Sequence, residues 1–311
     1  MHDKTKYAVT LLLLVMLFRV VPLSAQVDYN WWNRKHNWDG TTHWTQYMIL
    51  SPGYMGPNAL PVPELHGGHI PQGHTIETGL EGHYTRGDQT ANLYFNYNFP
   101  LFTDKATFSI TYRPMEIYRT DTMTRDERFS REYQPSGYSL GDVYFSTFIQ
   151  LLQGHARLPD VMLSANLKTA SGTNLPGARH TDTPGYWFDA TIGKAFSIQK
   201  KALRGIRIYG RAGFYAYQTF QVNYFQNDAF LFGAGISASL NRVKIHQQLT
   251  GYTGYFNNGD RPVVYRLMLE STAGEKIKFR LRFQQGLHDN LYSSIRLSIL
   301  LKLNKLSNPS H

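Results

Sequence analysis

The sequence predicts an all-β protein, a single antiparallel transmembrane β-barrel of about twelve strands behind a cleaved signal peptide. Three observations carry that prediction. The first residues have the layout of a secretory leader, later segments alternate apolar and polar residues over barrel-strand lengths, and the connections between those segments sort by length.

The leader comes first. His2, Lys4 and Lys6 precede an apolar run over residues 8–18, and the small residues Ser24 and Ala25 stand before Gln26. This order of charged, apolar and small residues assigns residues 1–25 to a signal peptide cleaved after Ala25. The run falls short of the ~20 apolar residues that a spanning helix needs. The 311 residues contain no cysteine, which excludes a cysteine-borne lipid anchor, disulfides, thiolate metal sites and a cysteine nucleophile.

Aromatic residues make up 14% of the chain and charged residues only 17%. That balance suits short alternating strands with aromatic girdles at two membrane interfaces. The formal charge of +10 falls by two when Asp3, Lys4, Lys6 and Arg19 leave with the leader. A basic chain can point to nucleic acid, but an exported one meets anionic lipid headgroups or anionic solutes instead. Outer-membrane lipid is therefore an expected partner, and nucleic acid is not.

Residues 26–72 form an irregular segment rich in Trp, Pro and His. Trp31, Trp32, Trp38 and Trp44 fall here, Gly and Pro crowd residues 51–72, and no period is sustained. Three placements are open: a periplasmic arm, a plug inside the barrel or, for residues 26–45, a disordered tail. Residues 51–72 could also lie along the barrel mouth.

From Thr75 the pattern changes to strict alternation, which is how a barrel strand separates its lipid face from its lumen face. Ala91, Leu93, Phe95, Tyr97 and Phe99 alternate with Asn92, Tyr94, Asn96 and Asn98. Ala106, Phe108, Ile110 and Tyr112 alternate with Thr107, Ser109 and Thr111, and Ile277, Phe279, Leu281 and Phe283 with Lys278, Arg280 and Arg282. The same template gives strands near 75–85, 89–99, 104–118, 138–152, 159–170, 185–197, 205–218, 229–241, 243–255, 262–273, 276–287 and 291–304, a barrel over 73–304 with a polar tail at 305–311.

Connection lengths then sort by side. With the N-terminus periplasmic, 100–103, 153–158, 198–204, 241–242 and 274–275 become short periplasmic turns, and 119–137, 171–184 and 219–228 become extracellular loops. A β-sandwich has no reason to sort its loops in this way. The last strand closes on Leu301, Lys302 and Leu303 where an aromatic residue is usual, so insertion by the barrel-assembly machinery is expected to use an internal signal.

Across residues 137–200 the chain carries Gly141-Asp142-Val143 opening one strand, Leu158-Pro159-Asp160 opening the next, and Lys168-Thr169-Ala170-Ser171-Gly172 entering a loop. These elements resemble the outer-membrane family of transporters of the meta-pathway of phenol degradation, which is similar to the FadL-type channels for hydrophobic compounds. Ala170 stands where that family tends to have proline. The resemblance implies a barrel that passes small, hydrophobic solutes, and it rests on turns and strand starts.

Alternation assigns the residues that face the lumen. Glu77 and Glu81 come from the first strand; Arg207, Arg211, Lys244, Arg266, Glu270, Lys278, Arg280, Arg282 and Arg296 come from the late strands that close against it. They are the lumen or constriction candidates. Either they pair across a narrow barrel, since buried charges seldom stay unpaired, or they form a basic constriction for anionic or polar solutes.

His66, His69 and His74, with Glu64 or Glu77 nearby, are the weak candidates for a divalent metal. No established ligand signature or cofactor motif accompanies them, so no cofactor is expected. Ser237 or Ser239 with His246 would suggest a lipid-modifying dyad, but by parity all three point inward, away from lipid. No Gly-x-Ser-x-Gly, Walker or His-Glu-x-x-His motif occurs.

The expectation is therefore an outer-membrane protein, exported by the Sec route and not an enzyme, that passes small hydrophobic or anionic solutes passively. The alternative is a structural or adhesive barrel acting through loops 119–137 and 171–184. A lipid-modifying enzyme is the remote third.

Overall fold

The computed structural model describes residues 28–198, 200, 202–274 and 276–303. The expected signal peptide, 1–25, and polar tail, 305–311, lie outside them. The chain divides into two compact units, up to Gly40 and from Thr41 onward. Within the first, Asn30–Lys35 forms helix α1, with Arg34 and Lys35 in its last turn, where positive side chains suit the helix dipole. The Trp32 and His36 rings meet at 5.0 Å. This short helix was not expected from a segment without a period.

The second unit is the barrel. Its strands are β1 (Thr75–Thr85), β2 (Asp88–Pro100), β3 (Ala106–Tyr112), β4 (Glu116–Thr120), β5 (Ser136–Ser139), β6 (Val143–Leu152) and β7 (Asp160–Lys168). There follow β8 (Gly185–Ser197), β9 (Leu203–Gln221), β10 (Tyr224–Leu240), β11 (Val243–Thr253), β12 (Val263–Ser271), β13 (Ile277–His288) and β14 (Ser293–Lys302). All pairings are antiparallel, and β1 bonds both β2 and β14, with Leu80 opposite Leu93 on one side and Leu297 on the other. The sheet is thus closed and leaves no edge, the condition for satisfying every ladder group in lipid.

Two walls are interrupted. β3 and β4 both pair with β2, over residues 95–100 and 88–92 respectively, and β6 and β5 continue the pattern against them. Each pair is one stave with a gap, so the barrel has twelve staves. Pro114, which has no N–H to give a ladder, lies in the first gap. In the second, the Gly141 N–H donates to the Arg113 carbonyl at 2.9 Å, and a Cβ at 141 would meet that same oxygen at 2.9 Å.

The expected strands 104–118 and 138–152 are therefore real staves that break in the middle. The expected loop 219–228 is a correction: β9 and β10 run on, and only Val222 and Asn223 turn between them. Gln218 pairs with Gln226 and Tyr217 with Asn227 there. Gln and Asn composition suggests a loop, yet a cross-strand partner is enough to hold such residues in a ladder.

Connections at one end, here the turn end, are 101–105, 153–159, 198–202, 241–242 and 272–276. Those at the loop end include 121–135, which carries helix α2 (Thr122–Glu127), 169–184 and 254–262. Outside, Leu281, Leu297, Ile299, Phe188, Ile192 and Phe214 are exposed; inside, Arg282, Arg296, Ser298 and Thr191 are buried. The wall is inverted relative to a water-soluble protein, apolar outward and charged inward.

Candidate functional site

The chain's own N-terminal stretch runs the length of the lumen. At the loop end the Gln221 side chain donates to the carbonyls of Gln46 and Met48, following a 3-10 turn at Trp44–Tyr47. The Ser51 hydroxyl donates to the Asn258 carbonyl, and the Gly56 N–H to that of Ala178. At the turn end Gln150 takes the Ile70 N–H at 3.0 Å and gives to Gly68, while Thr107 donates to Pro71. His74 then leads into β1. Residues 41–50 are thus at the loop end, opposite the start of β1. Residues 51–72 therefore run inside the barrel from its loop end to its turn end.

Chemistry changes along the path. In the loop half, Met48, Leu50, Met55, Leu60 and Val62 pack with Trp187, Tyr215, Tyr217, Leu231 and Tyr252 into a buried apolar cluster. Loop 169–184 folds inward over it. Its Arg179 is fully buried, pairs with Asp88 at 2.7 Å and Glu116 at 2.8 Å, and stacks 4.4 Å over the Tyr118 ring. Burial alone would lower the Arg179 pKa, but Glu116 and Asp88 raise it. Asn58 joins this knot, donating to Glu116 and Asn92.

In the turn half the segment meets the expected lumen charges. Arg280 bridges Glu77 at 2.5 Å and Glu270 at 2.6 Å, and Lys278 reaches Glu270 at 2.7 Å. Arg282 grips Glu81, which Arg113 approaches at 3.7 Å. Arg207 pairs with Asp160 at 2.6 Å and also donates to the Gly67 carbonyl.

The remaining arginines take a different role. Arg211 donates to the carbonyls of Pro63 and Glu64, and Arg266 to those of Val62 and Pro63. Arg282 and Arg296 converge on the Glu64 carboxylate. Gln248 completes the grip, accepting from the Leu65 N–H and donating to its carbonyl at 2.7 Å. These are charge-assisted bonds to a chain with few free N–H groups, since residues 61 and 63 are proline. Beside it remains a cavity of about 470 Å3, lined in part by His66, His69, Lys244 and His246.

Glycines let the segment through. The Gly67 carbonyl passes so close to β8 that a Cβ on Gly193 would lie 2.3 Å from its oxygen. Gly68 has φ +82°, a conformation that favours glycine, and a Cβ there would meet the Gly193 nitrogen at 2.7 Å.

Alternation placed the lumen-facing residues on one surface but could not tell which would meet a carboxylate and which a carbonyl. Glu64 was weighed only as a neighbour of a metal site, and its part in the lumen was missed. It carries a legible signal, being the only Asp, Glu, Lys or Arg between Asp39 and Glu77. The three candidate metal histidines separate: the His66 ring meets Phe148 at 4.6 Å, His69 borders Gly67, and His74 bonds the Tyr97 hydroxyl at 3.1 Å. Among the described residues no group of three or more His, Asp or Glu could hold an ion. Ser237 pairs in register with His246, and Ser239 with Lys244, on the lumen face.

No family model matches the chain, and no curated protein does. Among solved structures it is similar to an outer-membrane channel from Pseudomonas putida F1, at 12% identity and TM-score 0.49, over 78% of this chain and 99% of that one. It is also similar to the NanC porin, at 13% and 0.46 over 73% and 100%. The KdgM porin in complex with disordered oligogalacturonate follows at 8% and 0.44, over 74% and 99%. At such scores the likeness carries no argument about function.

Proposed function

We propose that this chain is an outer-membrane channel for small solutes, held shut in this state by its own residues 48–72. The observation that supports it most is the noncovalent grip on that segment: residues 61–68 are held in the lumen by wall side chains, with no ladder pairing to fix them there. A barrel needing only mechanical strength would fill its lumen with wall side chains, as small barrels do. The outward apolar belt supports placement in a membrane, the sorted connections support a periplasmic turn end, and the leader-like residues 1–25 support Sec export. The turn motifs around Asp142 and Asp160 that resemble the phenol meta-pathway transporters agree with this role.

The adhesive alternative keeps one support, the exposed Met123, Tyr133, Phe225 and Tyr255 at the loop end. In loop 169–184 Arg179, His180 and Thr181 are turned inward and buried, leaving only small or polar residues such as Ser171, Thr173 and Asp182 exposed.

Planar-bilayer recording tests the channel. The full chain should be mostly closed, and a chain with residues 61–68 replaced by a Gly/Ser stretch of equal length should carry steady current. Silence from both overturns the reading.

A further inference from the structure

Lumen guanidiniums stay charged at any physiological pH, so each must find an acceptor. Arg211 and Arg266 are buried, and among the described residues neither has a carboxylate within 4.0 Å. Their acceptors are the carbonyls of residues 62–64, with Thr250 and Gln284 serving Arg266. Arg296, also buried, stacks 3.8 Å over the Tyr94 ring, has Glu64 at 3.1 Å and Glu77 only at 3.9 Å, and its Nε and one terminal nitrogen have no hydrogen-bond partner. Glu64 keeps 39% of its side-chain surface open to the cavity.

The segment therefore supplies what a ligand would supply. It offers a line of oxygen acceptors ending in one carboxylate, and it is poor in donors because of Pro61 and Pro63. Withdrawing it would strip Arg211 of both its carbonyl acceptors, leave Arg266 only the neutral Thr250 and Gln284, and leave Arg296 only Glu77 at 3.9 Å and the Tyr94 ring. Buried charge without a counter-charge is strongly unfavourable. An opened lumen leaves these guanidiniums free to take water or oxygen anions at the same positions.

We propose that Arg211, Arg266, Arg282 and Arg296 form a binding site for carboxylate-bearing solutes, and that residues 62–67, with the Glu64 carboxylate, are its resident occupant. Solute and segment compete for one set of guanidiniums, so binding of the solute opens the lumen. This deepens the channel reading above and rests on it.

The test is calorimetric titration of citrate into the full-length protein in detergent, beside the variants Glu64→Gln and Arg211→Gln/Arg266→Gln. Glu64→Gln removes the competing carboxylate and keeps the chain path. It should bind citrate about tenfold more tightly than the parent, the effect of losing one competing contact. The double arginine variant should lose binding, and triethyl citrate, which has no ionised carboxylate, should not bind the parent or Glu64→Gln. That last comparison needs no folding of the arginine variant.

Absence of citrate binding to both parent and Glu64→Gln overturns the site, as does equal binding of citrate and its ester. Bilayer recording of the same preparations separates the two readings. Current without citrate binding keeps the channel and removes the site; binding without current keeps the site and removes the channel.

Discussion

Glu64 and Arg296 are 232 residues apart in the chain, and their side chains meet at 3.1 Å in the barrel lumen. The acid comes from the threaded segment and the base from β14, the last strand. The contact therefore exists only when the barrel has closed around its own N-terminal stretch.

Gly193 is a point of close approach on that passage, where a Cβ would lie 2.3 Å from the Gly67 carbonyl oxygen. Gly193→Val puts a side chain where the Gly67 carbonyl now lies. The segment should be displaced while the lipid face and ladder stay intact. Single-channel recording should show a higher open fraction than the parent, with unchanged heat-modifiable gel mobility. A closed channel with normal folding would contradict the close-packing argument.

Gln248 holds both backbone groups of Leu65. Gln248→Ala removes these two hydrogen bonds, each worth ~0.5–1.5 kcal/mol, and a third to the Tyr209 hydroxyl within the wall. Limited proteolysis within residues 61–68 should accelerate by about tenfold, with little change in global unfolding.

Sidedness can be read directly because the chain has no cysteine. Thr41 is exposed and belongs to the loop-end stretch, whereas Asp104 is exposed in a turn-end connection. Thr41→Cys should react with a membrane-impermeant maleimide on intact cells, and Asp104→Cys only after the outer membrane is opened. The reverse pattern would invert the orientation.

Arg179 pairs with Asp88 and Glu116 in the loop-end knot; Asp88 also has Arg128 at 2.5 Å, so Glu116 is the carboxylate that depends on Arg179. Removing one partner of such a buried network leaves uncompensated charge and typically costs ~3–5 kcal/mol. Arg179→Met should free loop 169–184 for protease cleavage and lower the denaturant midpoint, an effect that Arg179→Lys should only partly repair.

Leu281 is exposed on the outer wall of β13 opposite Leu297 and Leu269. If that face meets hydrocarbon, Leu281→Lys should destabilise the inserted barrel by ~2–4 kcal/mol, measured by reversible unfolding from bilayers. In a water-facing wall the same change would be nearly neutral.

Much of the fold was legible because a barrel wall imposes a period of two on every strand. The outward Phe279, Leu281 and Phe283 and inward Lys278, Arg280 and Arg282 followed from that period alone. The break at Pro114 and Gly141 was not legible, since the residues on either side keep strand-like composition. The continuation of β9 and β10 past residue 219 was hidden for the opposite reason: Gln and Asn suggest a loop until a neighbouring strand satisfies them.

By itself the sequence determined the barrel and the parity of its uninterrupted strands, because these depend on local alternation and turn spacing; across the breaks the parity switches, so that Thr107 and Ser109 in β3 but Glu116 and Tyr118 in β4 are buried. Only the tertiary structure decided what those charges hold. Residues 48–72 have no period from which a position could be read, and their path is set by contacts with strands 35 to 230 residues away. Whether a guanidinium meets Glu270, Glu81 or the carbonyl of Pro63 depends on barrel closure, which pairs β1 with β14 and encloses Glu64 in the lumen.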